Sequence, residues 1–354
     1  MVANDEPSKP SYQLLSDKQP GELLETLVAI NVCQSTETIA NVTKAGEGNM
    51  NLTLRVTTDH RSLIVKQARP WVEKYPDIAA PDERILAETD FYLNVSKFGD
   101  VAAAMPVVLA TCSEQRLLVL EDLGLASDYT SLYNHCSERS EVDRVFELAL
   151  DWAGKLHGCD ISSERPIGCK PLRVLNHQHI FSIPLANPPM IDLNEICDGF
   201  GPVSQNLLAD DLIQQAMTGL GEVYLRDDGG VLLHGDYYPG SWLKTDAGFR
   251  VIDPEFCFLG PPEFDLGVLA AHWIFCGGQA DGSAIDRVVQ ANNRQVAEGL
   301  VFGFAGAELV RRLVGVAQLP LNADLQLRTK WLECGIQFLK KFFSLATQSG
   351  SRRI

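Results

Sequence analysis

No two cysteines stand at CxxC spacing, although nine are spread along the 354 residues. An odd count without metal-ligand spacing argues against a zinc site, and a disulfide framework does not suit a chain this long. Reduced thiols, as in a cytoplasmic protein, are the expectation. Basic residues are also in short supply: 30 Lys and Arg face 46 Asp and Glu, for a formal charge of −16. Such a chain repels nucleic acid and anionic membrane surfaces, so neither is expected as a partner. Any phosphate ligand needs local Lys or Arg, backbone amides or a divalent cation to offset that field. No apolar run is long enough to span a bilayer, and the longest, over 266–276, is interrupted by His272. The opening stretch MVANDEPSKPSYQLL lacks the basic-then-apolar pattern of a signal peptide, which again points to the cytoplasm. Internal repeats and low-complexity tracts are absent as well.

What is present is a change of pattern along the chain. Residues 37–67 hold short β-rich segments separated by Gly/Asn and Asp/His turns, which predicts a meander or hairpin of strands. PDERILAETDFYLNV, 81–95, opens with Pro and acidic residues and predicts a helix. RLLVLEDLG, 116–124, reads as an apolar strand that stops at an acidic pair. Beyond it, Val142, Val145, Phe146, Ala149, Trp152, Ala153 and Leu156 recur at helical spacing, and similar stripes follow in AELVRRLVGVA and WLECGIQFLKKFF. Trp152 and Trp331 fall in these stripes and are expected in the core. The expected class is α+β and bilobal: a strand-rich lobe over 1–123, then a larger, mostly helical lobe over 124–354 that contains two short strands.

Those two strands end in chemistry. VLLHGDYYPGSWL, 231–243, puts Asp236 and Ser241 directly after an apolar run, and VIDPEF, 251–256, puts Asp253 after another. Each stretch taken alone also fits a surface turn. Together they offer an aspartate that can orient a hydroxyl and accept its proton, and a second that can hold Mg²⁺ with an oxygen from the first loop, Ser241. Phosphoryl transfer needs those parts more than it needs covalent chemistry. The first lobe supplies a complement in KAGEGNMN, 44–51, where Gly46 and Gly48 flank backbone amides able to cradle phosphates, although a lone GxG is usually a hairpin turn. Lys66 lies mid-strand in LIVKQA. Burying its ammonium unpaired is costly, so nucleotide phosphates or Glu88 are expected as partners, the alternative being an edge lysine facing solvent. His157 reads as a helix-end contact, and His234 as a brace beneath the loop rather than a base.

GEGNMN, IVKQA, the Glu88 helix, VLEDL, HGDYYPGS, DPEFCFLGPPEFD and ELVRRLVGVA together resemble the kinase-like phosphotransferases that include aminoglycoside and choline kinases. Within them the resemblance is to the methylthioribose kinase family, because Ser241 and the DPEF stretch match that branch. It implies a protein-kinase-like fold, with ATP and Mg²⁺ as cofactors. Asn49 and Lys66 are implied to contact ATP phosphates, the backbone of Glu121, Asp122 and Leu123 to receive adenine, and Asp253, Pro254 and Glu255 to hold Mg²⁺ and the nucleotide. Asp236 is the implied catalytic residue, meeting the sugar hydroxyl. Arg311 and Arg312 lie near the substrate, unless they are merely a pair on a helix surface. As neighbours on a helix they point about 100° apart, so one is expected at the acceptor and the other on an acidic neighbour.

The implied activity is phosphorylation of the anomeric hydroxyl of 5-methylthioribose, a step of methionine salvage, by a cytoplasmic enzyme whose oligomeric state the residues leave open, a homodimer included. Its alternatives are another deoxysugar, an aminoglycoside or an amino alcohol as acceptor, or a nucleotide-binding pseudokinase, although the intact Lys66, Asp236 and Asp253 argue against the last. The chain departs from the family at Tyr237, Tyr238, Pro239 and Trp242, whose bulk is expected to reshape the sugar pocket.

Overall fold

The computed structural model describes residues 10–46, 50–161, 167–227, 230–292 and 295–348. The chain divides into two compact units, Met1–Ser127 with Ser163–Leu172 and Lys244–Cys257, and Asp128–Ser162 with Arg173–Leu243 and Phe258–Ile354. The cut after residue 123 read from the sequence is therefore incomplete. Residues 244–257, placed above in the helical half, return to the strand-rich unit: the Val251 N–H donates to the Ala104 carbonyl at 2.7 Å. Asp253 pairs there with Lys66, 187 positions earlier. A linear reading of pattern cannot see such pairing.

The first unit is built on a five-stranded antiparallel sheet. It contains α1 (Pro20–Ala29), β1 (Ile39–Lys44), β2 (Leu52–Thr58), β3 (Ser62–Gln67), α2 (Arg84–Val95), β4 (Val108–Cys112) and β5 (Leu117–Glu121), with strand order β1-β2-β3-β5-β4. Period-2 alternation fixes its faces. Leu52, Leu54 and Val56 of β2, Leu63 and Val65 of β3, and Leu117 and Val119 of β5 all turn to one side, where they bury against Leu23 and Leu27 of α1. Register pairs Lys66 with Thr53 on one neighbour and Leu118 on the other. Lys66 is offset by one from Val65 and so faces away from the α1 cluster.

The second unit is helical. Its main elements are α3 (Arg139–Gly158), α4 (Asp211–Leu225), α5 (Glu263–Phe275), α6 (Ser283–Ala291), α7 (Glu298–Val314) and α8 (Leu325–Gln348), with a two-stranded antiparallel pair, β6 (Val231–Leu233) and β7 (Phe258–Gly260). Every residue of α5 is buried, as is α7 from Val301 to Val314. Helices covered on all sides form the centre of a bundle. Close approach of α7 to α8 depends on missing side chains, since a Cβ on Gly306 would lie 2.7 Å from the Gly335 carbonyl oxygen. The buried strand β6 delivers the chain into HGD, where Gly235 takes φ +85, a left-handed turn suited to glycine. The expected arrangement of a strand-rich N-terminal part and a larger helical remainder is what the chain adopts.

Candidate active site

In the first unit, Lys66 is buried between two acids. Its Nζ lies 2.5 Å from Glu88 Oε1 and 2.6 Å from Asp253 Oδ1. Burial alone would lower the lysine pKa, but Asp253 and Glu88 hold it well above its ordinary value. Burial raises Glu88 against the pull of Lys66, and the second carboxylate adds to that rise. Glu88 was expected from the sequence; Asp253 as a lysine partner was not. The two acids differ in access, with the Glu88 side chain fully buried and that of Asp253 47% exposed. Asp253 also sits at φ +63 directly before Pro254, a conformation disfavoured for a non-glycine residue and more so before proline. Local strain of this kind costs on the order of 1–3 kcal/mol and clusters at functional sites.

Glu255, expected as a cation ligand beside Asp253, turns instead to protein partners. Its Oε2 accepts from Asn51 Nδ2 at 2.8 Å and lies 3.9 Å from Arg84 Nε. Burial pushes its carboxyl up to about 8 even though Lys66 and Arg84 pull it down. Arg84 and Asn51 were missed by the sequence reading; an arginine in the first turn of a helix with acidic neighbours looks like a solvated charge. Glu121, Asp122 and Leu123 follow β5. The Glu121 N–H is spent on the Val107 carbonyl, and Asp122 is gripped by Arg55 at 2.8 and 3.0 Å. The Leu123 N–H meets no acceptor among the described residues. Gly46 adopts φ +72 at the start of the glycine-rich turn. Gly48 and Asn49 lie outside the described residues.

The second unit carries Asp236 on a loop braced from several sides. Asp265 Oδ2 accepts from the His234 N–H at 2.8 Å, and Oδ1 from the Gly235 N–H at 3.1 Å. His157 lies 3.1 Å from the same Oδ2, so it is a buried brace on Asp265 rather than a helix-end contact. His234 Nδ1 accepts from the Asp236 N–H at 3.4 Å, consistent with the role expected for it. Ser241, expected as a metal ligand, is buried and donates its hydroxyl to the Asp236 carbonyl at 2.8 Å, closing the turn. Tyr237 and Trp242 also depart from expectation, because both are fully buried in the helical core. The Tyr237 hydroxyl donates to the Ala149 carbonyl at 2.8 Å, and its ring stacks on Trp152 with centroids 5.3 Å apart. These aromatics anchor the loop; of the three, only Tyr238 is half-exposed, beside His272 and against the Arg312 guanidinium.

Arg311 and Arg312 are buried, which removes the helix-surface alternative. They do not divide their partners as expected. Both bind Glu308, at 3.1 Å and 2.6 Å, and both turn toward Asp236 Oδ1, at 3.7 Å and 3.1 Å respectively. Glu308 lies one helical turn before them, where i,i+3 and i,i+4 spacing brings the groups onto one face. Burial would raise Glu308, yet Arg311 and Arg312 hold it well below the usual carboxylate range. His272 lies 3.0 Å from Glu308, and Tyr133 lies 2.7 Å from the other ring nitrogen of His272. Burial lowers the His272 pKa. None of Glu308, His272, Tyr133 and Asp265 was expected at the site; Glu308, His272 and Asp265 each stand as a polar residue inside an otherwise apolar helix. Among the described residues, no group of three or more His, Cys, Asp and Glu is placed to hold a metal by itself. No helix among them is long and apolar enough to cross a membrane.

Comparison with known proteins gives this geometry a context. The family model described as phosphotransferase enzyme family matches residues 41–300. The methylthioribose kinase of Exiguobacterium sibiricum is 28% identical over 331 residues, covering 79% of this chain and 80% of its own. That of Bacillus velezensis is 22% identical with 93% of each chain covered. Among solved structures, a choline/ethanolamine kinase family protein from Mesorhizobium loti superposes with a TM-score of 0.52 at 15% identity, over 92% of this chain and 98% of that one. The last likeness is one of fold.

Proposed function

Because the chain belongs to the phosphotransferase enzyme family and is a small-molecule kinase, we propose that it transfers the γ-phosphoryl group of ATP to the anomeric hydroxyl of 5-methylthioribose. The observation that carries the reading is Asp236, a half-buried carboxylate held by Arg311 and Arg312 on a braced loop. Asp236 orients the sugar hydroxyl and takes its proton as the phosphoryl group arrives. The guanidiniums keep that carboxylate aimed, and their forked donors suit oxygens of the sugar or of the transferring group.

On the nucleotide side, Lys66 engages phosphate oxygens and the glycine-rich turn adds backbone amides. Leu123 offers its N–H to the adenine edge. Asp253, a half-exposed carboxylate beside Lys66, fits a hard divalent cation, and Mg²⁺ bound there would neutralise phosphate charge. The methylthioribose kinases among the relatives support the choice of sugar and, with it, a place in methionine salvage. An ATP-consumption assay with 5-methylthioribose, a second deoxysugar, choline and an aminoglycoside tests it. Turnover is expected with 5-methylthioribose. Turnover with another acceptor in its place overturns the sugar assignment and leaves the phosphotransferase reading standing, whereas none with any acceptor favours a pseudokinase.

A further inference from the structure

We propose that Arg84, Asn51 and Glu255 form a clasp that fixes the stem of the glycine-rich turn to the DPE turn, so that Glu255 positions the nucleotide-binding elements instead of ligating the metal. The proposal rests on the kinase reading above. Arg84 is fully buried, and all three guanidinium nitrogens are employed. Nε donates to Asn51 Oδ1 at 2.8 Å, and Nη1 to the carbonyls of Arg69 and Pro81 at 2.9 and 2.8 Å. Nη2 donates to the carbonyls of Met50 and Trp71 at 2.6 and 3.2 Å. A guanidinium stays charged, so burying it demands that its donors be satisfied. Glu255 lies 3.9 Å from Nε and joins the group through Asn51.

Asn51 is the adapter between them. Its oxygen accepts from Arg84 while its amide nitrogen donates to Glu255 Oε2 at 2.8 Å. Only a side chain carrying both a donor and an acceptor can satisfy a guanidinium on one side and a carboxylate on the other. Aspartate would offer Glu255 no N–H donor, and leucine would leave both partners short. Met50 and Asn51 directly follow GEGN in sequence, so one carbonyl and one side chain are locked where β2 begins. The Glu255 side chain is 12% exposed against 47% for Asp253. Of the two acids, Asp253 is the one presented to a cation.

Calorimetric titration of ATP, with and without Mg²⁺, into the wild type, Asn51→Leu and Glu255→Gln tests the clasp. Asn51→Leu should weaken ATP binding roughly tenfold, the scale of one lost hydrogen bond to a charged group. It should leave the Mg²⁺ enhancement of affinity and the KM for sugar as in the wild type. Glu255→Gln keeps an oxygen for Asn51, so its affinity should stay within about threefold and its Mg²⁺ enhancement intact. Loss of that enhancement in Glu255→Gln, or unchanged affinity in Asn51→Leu, overturns the proposal. Should Asn51→Leu fail to fold, Asn51→Ala carries the same expectation. Failure of the wild type to bind ATP would instead defeat the kinase reading itself.

Discussion

The first unit surrounds one buried cation, Lys66, with two carboxylates; the second surrounds one buried carboxylate, Glu308, with two guanidiniums. The two clusters are inversions of each other, and the inversion separates two tasks. Around Lys66 the acids outnumber the base, and the half-exposed one, Asp253, is left with charge to offer a cation. Around Glu308 the bases outnumber the acid, and the excess is directed at Asp236, whose carboxylate is thereby aimed without being buried. A phosphotransferase needs both halves: an acid that recruits positive charge to the nucleotide, and an acid held still for the acceptor.

The largest effect should come from removing the centre of the second cluster. Glu308→Ala strips the shared partner from two buried guanidiniums and from His272, and breaking such a buried arrangement costs about 3–5 kcal/mol. Glu88→Ala in the first cluster should cost less, about 1–3 kcal/mol, because Lys66 retains Asp253. Denaturant unfolding of both variants measures the gap, and equal losses would erase the distinction between the clusters.

Next comes a difference within the arginine pair. Arg312 bridges Glu308 and Asp236 at 2.6 and 3.1 Å, whereas Arg311 is 3.7 Å from Asp236. A lysine cannot bridge with a fork. Arg312→Lys should therefore lower kcat by roughly tenfold or more and Arg311→Lys by less, taking one charge-assisted contact as the measure. Steady-state kinetics with saturating ATP decides it, and the reverse order would show that proximity to Asp236 is not what matters.

A further contrast lies in pH dependence. Burial raises Glu255 from its ordinary 4.5 to about 8, so between those values the folded chain holds a proton that the unfolded chain releases. Its contribution is full below about 4.5 and falls as pH rises toward 8. Glu308 shifts the other way, so its contribution is present above about 4.5 and is lost only in acid. Melting curves from pH 5 to 8 should show a downward slope that Glu255→Gln flattens and Glu308→Gln does not.

Much of this is legible in the residues themselves. The strand alternation through Lys66, the Glu88 helix and the HGD and DPE turns follow from local pattern, whereas the arginine pair came only from the family resemblance. What escaped was partnership across distance. Arg84 resembles a solvated charge until its five acceptors are assembled, and Asp265 and Glu308 resemble interruptions in apolar helices. Tyr237 and Trp242 sit beside Asp236 in sequence, but the turn sends their rings into the core and leaves Tyr238 beside Arg312. Adjacency in a loop says little about direction.

The division of labour between Asp236 and Asp253 is tested most directly by titrating Mg²⁺-ATP into Asp236→Asn and measuring its turnover on the same preparation. Nucleotide affinity should stay within about threefold of the wild type while turnover falls roughly 10²–10⁴-fold, the usual contribution of a positioned base. A variant that lost nucleotide affinity, or kept more than about a tenth of its turnover, would contradict the assignment of Asp236 to the acceptor.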